Sequence, residues 1–338
     1  MSDENSYPEK MKAVLLEKQG GPLIVREVDI PKPGPGEVLV RIAAAPINPS
    51  DLARVRNMDT DLESYIPGLE GSGTVVAAGK GILPRLWLGK RVTCTHHGIR
   101  GTWAEYMVTS AAMCFPLKSK VNFEQGSMSL VNPLTALAFI EIAEEGRYKA
   151  IINNAAASAL GRMVELLAIK KGIPVINLVR NREHVEMLKH KGSKYVLNTS
   201  DPSFIDNLGQ LSHELNATLM FDSVCGKELQ EMIEVLPPNS SVYIYGNLSG
   251  AEHININPRS LIDNNIKVSG FFLGRRAGEN GLIKNMKNLR KVGSLMSNDM
   301  SIKIQGRFPL DKAQEAVDTY LSNMSAGKVL LIPNHGEN

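Results

Sequence analysis

The most informative residues of this chain are a run of small side chains at positions 155–161. The run reads Ala-Ala-Ala-Ser-Ala-Leu-Gly, so six of its seven residues are Ala, Ser or Gly. The apolar residues 150–154 precede it and a helical stretch to Lys171 follows. Small side chains let a backbone approach a pyrophosphate closely, and the first turn of a helix offers unpaired N–H groups and a positive dipole end. We interpret the run as the turn of a βαβ unit that binds a nucleotide.

The glycine pattern of this turn is incomplete. Only Gly161 stands at a glycine position of the G-x-G-x-x-G fingerprint, while Ser158 and Ala159 occupy places where glycine is usual. The alternative interpretation is a tightly packed turn between a strand and a helix that binds no ligand.

Two arginines follow the second strand of the same unit. The strand is predicted to end at Val179, and Arg180 and Arg182 come next. Proteins that hold the ribose of NAD place Asp or Glu at this point, whereas cations suit a 2′-phosphate. The pattern therefore predicts NADPH as the cofactor, and a solvated pair of surface arginines is the alternative.

Composition sets the class of protein. The 338 residues are 43% hydrophobic and 22% charged, which is ordinary for a soluble protein and enough for two domains. The formal net charge of +3 is spread without a long basic run, so we expect neither nucleic acid nor a membrane surface as a main partner. An acidic N-terminus without an apolar signal region predicts a cytoplasmic protein.

The cysteines do not form a metal-binding pattern. Cys94, Cys114 and Cys225 are too few and too scattered for a disulfide framework or a four-cysteine zinc site. Cys94 lies two residues before His96, but without further spaced ligands this pair is a poor zinc signature. We predict three buried cysteines and no metal.

Before residue 121, short β-like runs alternate with Gly and Pro, which predicts a small, largely antiparallel barrel. The runs are Ala13–Leu16, Leu23–Val28, Val38–Ala43, Gly73–Ala78, Arg91–Thr95 and Trp103–Val108.

Beyond Val121 strands alternate with helices, which predicts an α/β domain with a doubly wound parallel sheet. The predicted strands are Ile151–Asn154, Val175–Val179, Tyr195–Leu197, Thr218–Phe221, Val242–Tyr245 and Ile266–Phe271. Asp201 and Pro202 are predicted to open a helix, with Asp as the cap. After Leu273 we predict a helix over about residues 281–296, a strand, a helix opened by Asp311 and a last strand from Lys328, and we expect this tail to pack on the N-terminal domain.

Five strings, in this order along the chain, resemble the medium-chain dehydrogenase/reductase superfamily. They are Pro46–Asp51, Pro67–Gly73, Gly101–Tyr106, Val131–Ala136 and Gly327–Leu330. The resemblance covers nearly the whole chain, and the branches it points to are the zinc-free quinone oxidoreductases and the mitochondrial-type 2-enoyl thioester reductases. It implies a GroES-like β-barrel domain over residues 1–121 and 272–338, a Rossmann domain over 122–271, and a homodimer joined through the strand near residues 266–271.

The chain departs from the zinc alcohol dehydrogenases of that superfamily. The loop at 48–51 contains no cysteine, and Leu69 stands in the place of a metal-binding histidine. Without a Lewis acid, a quinone or a conjugated enone is a better hydride acceptor than a plain ketone. We therefore predict a zinc-independent, NADPH-dependent oxidoreductase that reduces a quinone or an enone.

Two alternatives stay open, a 2-enoyl thioester reductase and an NADPH-binding protein without catalysis. Enoyl reductases of this type have an acid tyrosine where this chain has residues 56–60, Arg-Asn-Met-Asp-Thr, and Tyr65 follows several residues later. Tyr65 is thus a candidate catalytic residue, with a packing role as the alternative. Asn48 is the second candidate, and it and Asp51 could equally cap their loop.

The resemblance also implies a set of cofactor contacts, some at the nicotinamide end and others at the phosphates or the strand ends. They are Asn48, Asp51, Asn132, Thr135, Ser158, Ala159, Leu160, Gly161, Arg180, Arg182, Val224, Tyr245, Gly246, Phe271, Phe272, Leu273 and Lys328. For the apolar members, ordinary core packing is the alternative.

Overall fold

The computed structural model describes residues 7–18, 20–57, 65–96, 98–298 and 301–335. Within them the chain divides into two compact units. Unit 1 comprises Met1–Val131 and Leu289–Asn338, and unit 2 comprises Asn132–Asn288. The sequence prediction placed the two junctions at 121/122 and 271/272.

The elements up to the first junction are mostly strands. They are β1 (Lys10–Leu16), β2 (Leu23–Asp29), β3 (Glu37–Pro46), α1 (Pro49–Asn57), β4 (Glu70–Ala78), α2 (Ile82–Trp87), β5 (Arg91–Thr95), β6 (Tyr106–Ser110), a 3-10 helix (Ala111–Met113), β7 (Cys114–Pro116), α3 (Phe123–Ser127) and α4 (Val131–Glu145).

The elements of the parallel sheet and its crossovers follow. They are β8 (Ile151–Asn153), α5 (Ala159–Lys170), β9 (Val175–Val179), α6 (Arg182–His190), β10 (Tyr195–Asn198), α7 (Phe204–Glu214), β11 (Leu219–Asp222), α8 (Leu229–Glu234), β12 (Ser241–Ile244), α9 (Pro258–Ile262) and β13 (Lys267–Gly270).

The last elements are α10 (Leu273–Asn298), β14 (Ile304–Phe308), a 3-10 helix (Leu310–Lys312), α11 (Ala313–Ser322) and β15 (Lys328–Leu331).

Unit 1 is built around β3. Most side chains on both faces of this strand are buried, so buried and exposed residues do not alternate along it. The described strands of unit 1 run in the order β14-β15-β3-β4-β5-β7, with β6 also paired to β3 and a separate β1-β2 hairpin. The C-terminal tail joins this unit, since β15 pairs with β3 and Val317 of α11 enters the same core as Val40 and Trp103. The end of the tail, from β14 to β15, therefore packs on this unit as predicted, whereas residues 273–288, which the prediction also placed there, belong to unit 2.

The predicted strand Trp103–Val108 begins too early. β6 starts at Tyr106, because the backbone of Trp103 is already bonded elsewhere: its carbonyl accepts the N–H of Val14 at 2.9 Å and its N–H donates to Pro67 at 3.0 Å. These bonds fix the residues before Tyr106 in a loop against β1. The ladder to β3 therefore begins only after that loop.

Unit 2 contains a parallel sheet whose described strands run in the order β10-β9-β8-β11-β12-β13. This order reverses beside β8, and such a reversal is where doubly wound sheets bind nucleotides. Ile152, Ile176 and Met220 are fully buried in the sheet centre, so the strands read as continuous apolar runs. The structure confirms the predicted α/β class, with a doubly wound Rossmann sheet.

Two helix boundaries differ from the prediction. α7 begins at Phe204, not at Pro202, because residues 201–203 form a turn in which the carbonyl of Asp201 accepts the N–H of Phe204 at 3.0 Å. α10 begins at Leu273, eight positions before the predicted start, and Gly281 interrupts its helical backbone with φ 69°. A glycine tolerates that left-handed conformation without a steric penalty.

No helix among the described residues has both the length and the apolar character that crossing a membrane requires.

Candidate cofactor and active site

The turn after β8 has the local structure that the sequence predicted. Ser158 ends the turn as the N-cap of α5, and its hydroxyl accepts the N–H of Gly161 at 3.0 Å. Ala155 adopts φ 51°, a left-handed conformation that usually favours glycine. The turn therefore reaches a glycine-type geometry with alanine, which explains why the glycine fingerprint is incomplete.

Gly161 is required by packing. A Cβ atom at this position would lie 2.6 Å from the Cα of Ala156 and 2.7 Å from the carbonyl oxygen of Ala155. Both atoms belong to the backbone and cannot swing aside. The start of α5 is thus held directly against the turn, with the N–H groups of its first residues near the chain reversal.

A buried amide network supports the turn from below. Asn153 Nδ2 donates to the carbonyl of Gly161 at 3.0 Å and to Asn177 Oδ1 at 3.0 Å, and Asn177 Nδ2 donates to Glu165 Oε1 at 2.8 Å. These residues link β8, β9 and α5. The network fixes the position of the start of α5 relative to the ends of β8 and β9. A phosphate can approach a helix N-terminus closely only when that N-terminus is held in place.

Arg180 and Arg182 lie at the carboxyl end of β9 and are both exposed. Asn181 between them caps α6, with its Oδ1 accepting the N–H of His184 at 3.3 Å. Neither arginine side chain forms an ion pair with any described residue. Two unpaired cations therefore stand at the edge of the sheet where the sequence placed the 2′-phosphate.

Two further basic side chains share this edge. Burial lowers the pKa of the Arg162 guanidinium, and burial lowers the pKa of His184, with the positive charges of Arg162 and Arg180 adding to the effect and Glu183 opposing it. An arginine stays protonated under such a shift. Arg162 is in the first turn of α5 and adds a third positive charge beside Arg180 and Arg182, while His184, in the first turn of α6, is the group there that can take up a proton.

The other strand ends carry the remaining predicted contacts of unit 2. Val224 follows β11, where its N–H donates to Asp222 Oδ1 at 3.0 Å. Gly246 follows β12, and a Cβ there would lie 3.1 Å from the Cβ of Ser223. Both positions belong to the same edge of the sheet as Ser158 and Arg180, because the strands are parallel.

Tyr245 and Phe271 are anchored in an aromatic cluster. Their rings meet that of Phe139 edge-on, with centroids 5.0 and 4.9 Å apart, and Phe139 stacks on Phe221 at 3.8 Å. Burial raises the pKa of Tyr245 to about 12, so its phenol stays neutral at physiological pH. Packing is thus the observed role of these two rings.

Four predicted contacts lie at helix starts or beside them. Asn132 and Thr135 are in the first turns of α4, Phe272 is 59% exposed, and Leu273 opens α10.

Unit 1 contains a buried polar cluster that joins β4, β15, the loop before α1 and the backbone of residues 130–131. Lys328 Nζ donates to Asn48 Oδ1, and Asn48 Nδ2 donates to Glu70 Oε1 at 3.1 Å. Glu70 Oε2 accepts the N–H groups of Leu130 and Val131 at 3.1 and 2.9 Å. The side chains of Asn48, Glu70 and Lys328 are almost fully buried, so each depends on the others for compensation.

The electrostatics of this cluster follow from its burial. Burial raises the pKa of Glu70, while the charge of Lys328 lowers it; burial lowers the pKa of Lys328, while Glu70 and Asp51 raise it. Lys328 Nζ also lies 5.9 Å from the centroid of the Tyr320 ring. The cluster places the Asn48 amide in one fixed orientation.

Asp51 caps its loop, the role that the sequence left open beside a cofactor contact. Its Oδ2 accepts the N–H of Asn48 and its Oδ1 accepts the N–H of Leu69, both at 2.8 Å. The side chain is fully buried, and burial raises its pKa to about 7. Asp51 therefore ties the loop before α1 to the turn before β4.

Tyr65 is 3% exposed, and its carbonyl accepts the N–H of Leu16 at 2.8 Å. Burial raises the pKa of its phenol, and a hydrogen bond with the Arg54 side chain lowers it. Residues 58–60 of the segment compared with the enoyl reductases lie outside the described residues.

The described side chains do not provide a set of ligands that fits a zinc ion. Leu69 offers no side-chain ligand, and no three His, Cys, Asp or Glu side chains of the described residues are grouped around a metal-sized position. Burial raises the pKa of Cys94 well above its ordinary value, that of Cys114 to about 12 and that of Cys225 to about 11. A zinc ligand must be a thiolate, so these thiols are poor candidates. His97 lies outside the described residues.

Sequence reasoning missed three residues of these sites. Glu70 was quoted in a motif without a role, although it is the centre of the unit 1 cluster. Arg162 and His184 were given no role. Their positions, one residue after Gly161 and two after Arg182, were the available signal, since both fall in the first turn of a helix beside the predicted phosphate.

Two family models match the chain. Residues 34–119 match the alcohol dehydrogenase GroES-like domain, and residues 159–288 match the zinc-binding dehydrogenase model. The first falls within unit 1 and the second within unit 2.

Individual proteins are similar over most of the chain. A mitochondrial enoyl-[acyl-carrier-protein] reductase from Caenorhabditis elegans is 31% identical over 280 residues, covering 78% of this chain and 79% of that protein. The synaptic vesicle membrane protein VAT-1 homolog of Mus musculus is 25% identical and covers 90% of this chain and 78% of its own length. A crystal structure named as an NADPH:quinone reductase from Mesorhizobium loti has a TM-score of 0.88 at 30% identity and covers 97% of this chain and 100% of its own.

Proposed function

Because this chain belongs to the medium-chain dehydrogenase/reductase superfamily of oxidoreductases, we propose that it is an NADPH-dependent reductase of quinones or conjugated enones that uses no metal. The observation that carries the proposal is the pairing of a tight small-residue turn, 155–161, with the unpaired Arg180 and Arg182 one strand away. The first suits a pyrophosphate and the second suits a 2′-phosphate.

Different residues of unit 2 bind different groups of the cofactor. Ser158, Ala159, Leu160 and Gly161 present the start of α5 to the pyrophosphate, and Gly161 keeps the backbone close. Arg180 and Arg182 hold the 2′-phosphate, Arg162 adds positive charge, and His184 can take up a proton when the phosphate binds. NADPH supplies the hydride when it is bound. The chain's own residues position it and exclude water.

The buried cluster of unit 1 orients the side chain of Asn48. Asn48 is held by Lys328 and Glu70, so its amide is preorganised for a polar group of the cofactor or acceptor. Lys328 keeps Glu70 compensated, and Asp51 fixes the loop that carries Asn48. Metal independence is supported by the side chain of Leu69 and by three protonated, buried thiols.

The second candidate function is reduction of a 2-enoyl thioester, which the identity to the Caenorhabditis elegans enoyl reductase favours. The burial of Tyr65 supports packing over proton donation. We expect Tyr65→Phe to leave quinone reduction within a few-fold of the parent, whereas loss of a general acid costs ~10²–10⁴ in rate. A loss of that size on an enoyl-CoA, with unchanged NADPH affinity, would make Tyr65 the acid and the protein an enoyl reductase.

The test is a screen of NADPH oxidation against quinones, small enones and 2-enoyl-CoA thioesters, with NADPH binding measured in parallel. Turnover on a quinone or an enone supports the proposal. Tight binding without turnover on any acceptor would leave the non-catalytic alternative, and absence of binding would refute the cofactor assignment.

We also propose a cytoplasmic homodimer. β13 is one of the two edge strands of the described sheet of unit 2, and its outer side has no paired strand among the described residues, which makes it a surface prone to pairing. A strictly monomeric mass at micromolar concentration would contradict the dimer.

A further inference from the structure

The short helix α2 exposes an unusual amount of aliphatic surface. Within seven residues, Ile82 is 83% exposed, Leu83 44%, Leu86 63% and Leu88 53%. Single exposed apolar side chains are normal on a soluble protein, but a contiguous group of this kind marks an interaction site. We call residues 80–90 the α2 face.

The α2 face is held rigidly on unit 1, so its exposed side chains cannot fold inward. Pro84 is buried beneath the helix, and the half-buried Trp87 donates from Nε1 to the carbonyl of Ala111 at 2.9 Å. The N–H of Gly89 is bonded to the carbonyl of Val75 at 2.9 Å. The inner side of the segment is therefore anchored, and the aliphatic side remains outward.

The charges of the α2 face are all positive. Lys80, Arg85 and Lys90 are exposed, and none of them forms an ion pair within the described part of the chain. Residues 80–91 contain no Asp or Glu. Arg91 is used internally, donating to the carbonyl of Val121 at 2.7 Å, and the nearby Glu37 carboxylate accepts the N–H of Gly34 at 2.8 Å.

We propose that the α2 face attaches the protein to the surface of an anionic lipid bilayer. Exposed aliphatic side chains enter the boundary between headgroups and acyl chains, while flanking lysines and arginines meet anionic headgroups. A net charge of +3 without a long basic run does not by itself predict a membrane partner. The three-dimensional structure concentrates three unpaired cations around four exposed aliphatic residues.

The same charges argue against the other occupants of such a face. Two copies of this chain joined through their α2 faces would bring six cations together with no acid between them, which disfavours that contact. The edge strand β13, not α2, is the surface proposed for the dimer. The inference also stands apart from the proposed reductase activity, because no residue of the α2 face belongs to the cofactor site.

The experiment is co-flotation of the full-length protein with vesicles of phosphatidylcholine containing about 30% phosphatidylserine, compared with vesicles of phosphatidylcholine alone. We expect binding to the anionic vesicles to be at least about tenfold stronger, and to weaken when salt is raised to about 0.5 M. The double variant Ile82→Ser/Leu86→Ser should bind at least about tenfold more weakly than the parent. Lys80→Glu/Lys90→Glu should lose the preference for anionic vesicles.

The matched control is Ile169→Ser/Ile262→Ser, which removes aliphatic side chains that are 56% and 76% exposed elsewhere in the chain. It should bind vesicles like the parent, and melting temperatures confirm that each variant folds. Failure of the parent to bind anionic vesicles would overturn the proposal. Equal losses in Ile82→Ser/Leu86→Ser and in the control Ile169→Ser/Ile262→Ser would also overturn it. So would a concentration-dependent dimer in sedimentation that Ile82→Ser/Leu86→Ser abolishes. NADPH oxidation, measured on the same samples, tests the reductase separately.

Discussion

Removing one arginine at the end of β9 should separate the two nicotinamide cofactors. Arg180 is exposed and has no ion-pair partner among the described residues, so Arg180→Ala leaves no buried charge behind and should not change the melting temperature. NADPH differs from NADH by the 2′-phosphate, which is the group that Arg180 is proposed to hold. The variant should therefore weaken only NADPH.

The size of the effect follows from the exposure of Arg180. A charge-assisted hydrogen bond contributes ~1.5–3 kcal/mol, which corresponds to about a ten- to hundredfold change in Kd. Solvent screens an exposed pair, so we expect a value toward the lower end of that range. Arg182 and the positive charge of Arg162 remain, which also limits the loss.

The assay is titration of both cofactors by calorimetry or by quenching of protein fluorescence. The control is Arg259→Ala, which removes an arginine whose side chain is 85% exposed on α9 of the same unit. Arg259→Ala should leave both affinities unchanged. Equal losses of NADPH and NADH affinity in Arg180→Ala, or no loss of either, would refute the assignment of the 2′-phosphate.

Three further substitutions test the turn at Gly161, the buried Lys328–Glu70 pair and the protonation of His184. Gly161→Ala places a Cβ 2.6 Å from the Cα of Ala156, so it should cost ~1–3 kcal/mol of unfolding free energy and weaken NADPH and NADH alike; selective loss of NADPH would be the contrary result. Lys328→Met leaves the Glu70 carboxylate buried without its cation and should cost ~3–5 kcal/mol in denaturant unfolding, while the exposed Lys303→Met should cost almost nothing. His184 has a lowered pKa in the free protein, and a bound phosphate should raise it; NADPH affinity should therefore rise as pH falls from about 8 to about 6, and comparable pH profiles in the parent and His184→Asn would contradict this.

The fold was predictable because its signals are local and repeated. The apolar runs at β8, β9, β11 and β12 identify buried parallel strands, and the part of the tail from β14 onward could be assigned to unit 1 from its pattern. Boundaries set by tertiary bonds were not predictable. Trp103 is excluded from β6 by hydrogen bonds to distant Val14 and Pro67, which no local pattern reveals.

The site was predictable where the backbone itself forms it. The turn at 155–161 and the arginines after β9 follow from their positions relative to one strand and one helix. The unit 1 cluster was not predictable, because Asn48 and Lys328 are 280 residues apart and meet only through the pairing of β15 with β3. Asp51 illustrates the same limit, since its motif could not distinguish a cap from a cofactor contact.

Metal-independent reduction with NADPH is tested most directly by the ratio of kcat/KM for NADPH to that for NADH, measured as quinone-dependent cofactor oxidation by the purified protein after treatment with a chelator. We expect turnover that survives chelation and a ratio of at least about ten, because Arg180 and Arg182 are proposed to hold the 2′-phosphate, which NADH lacks. A ratio near one, or turnover that is lost with a stoichiometric metal and returns when the metal is restored, would contradict it.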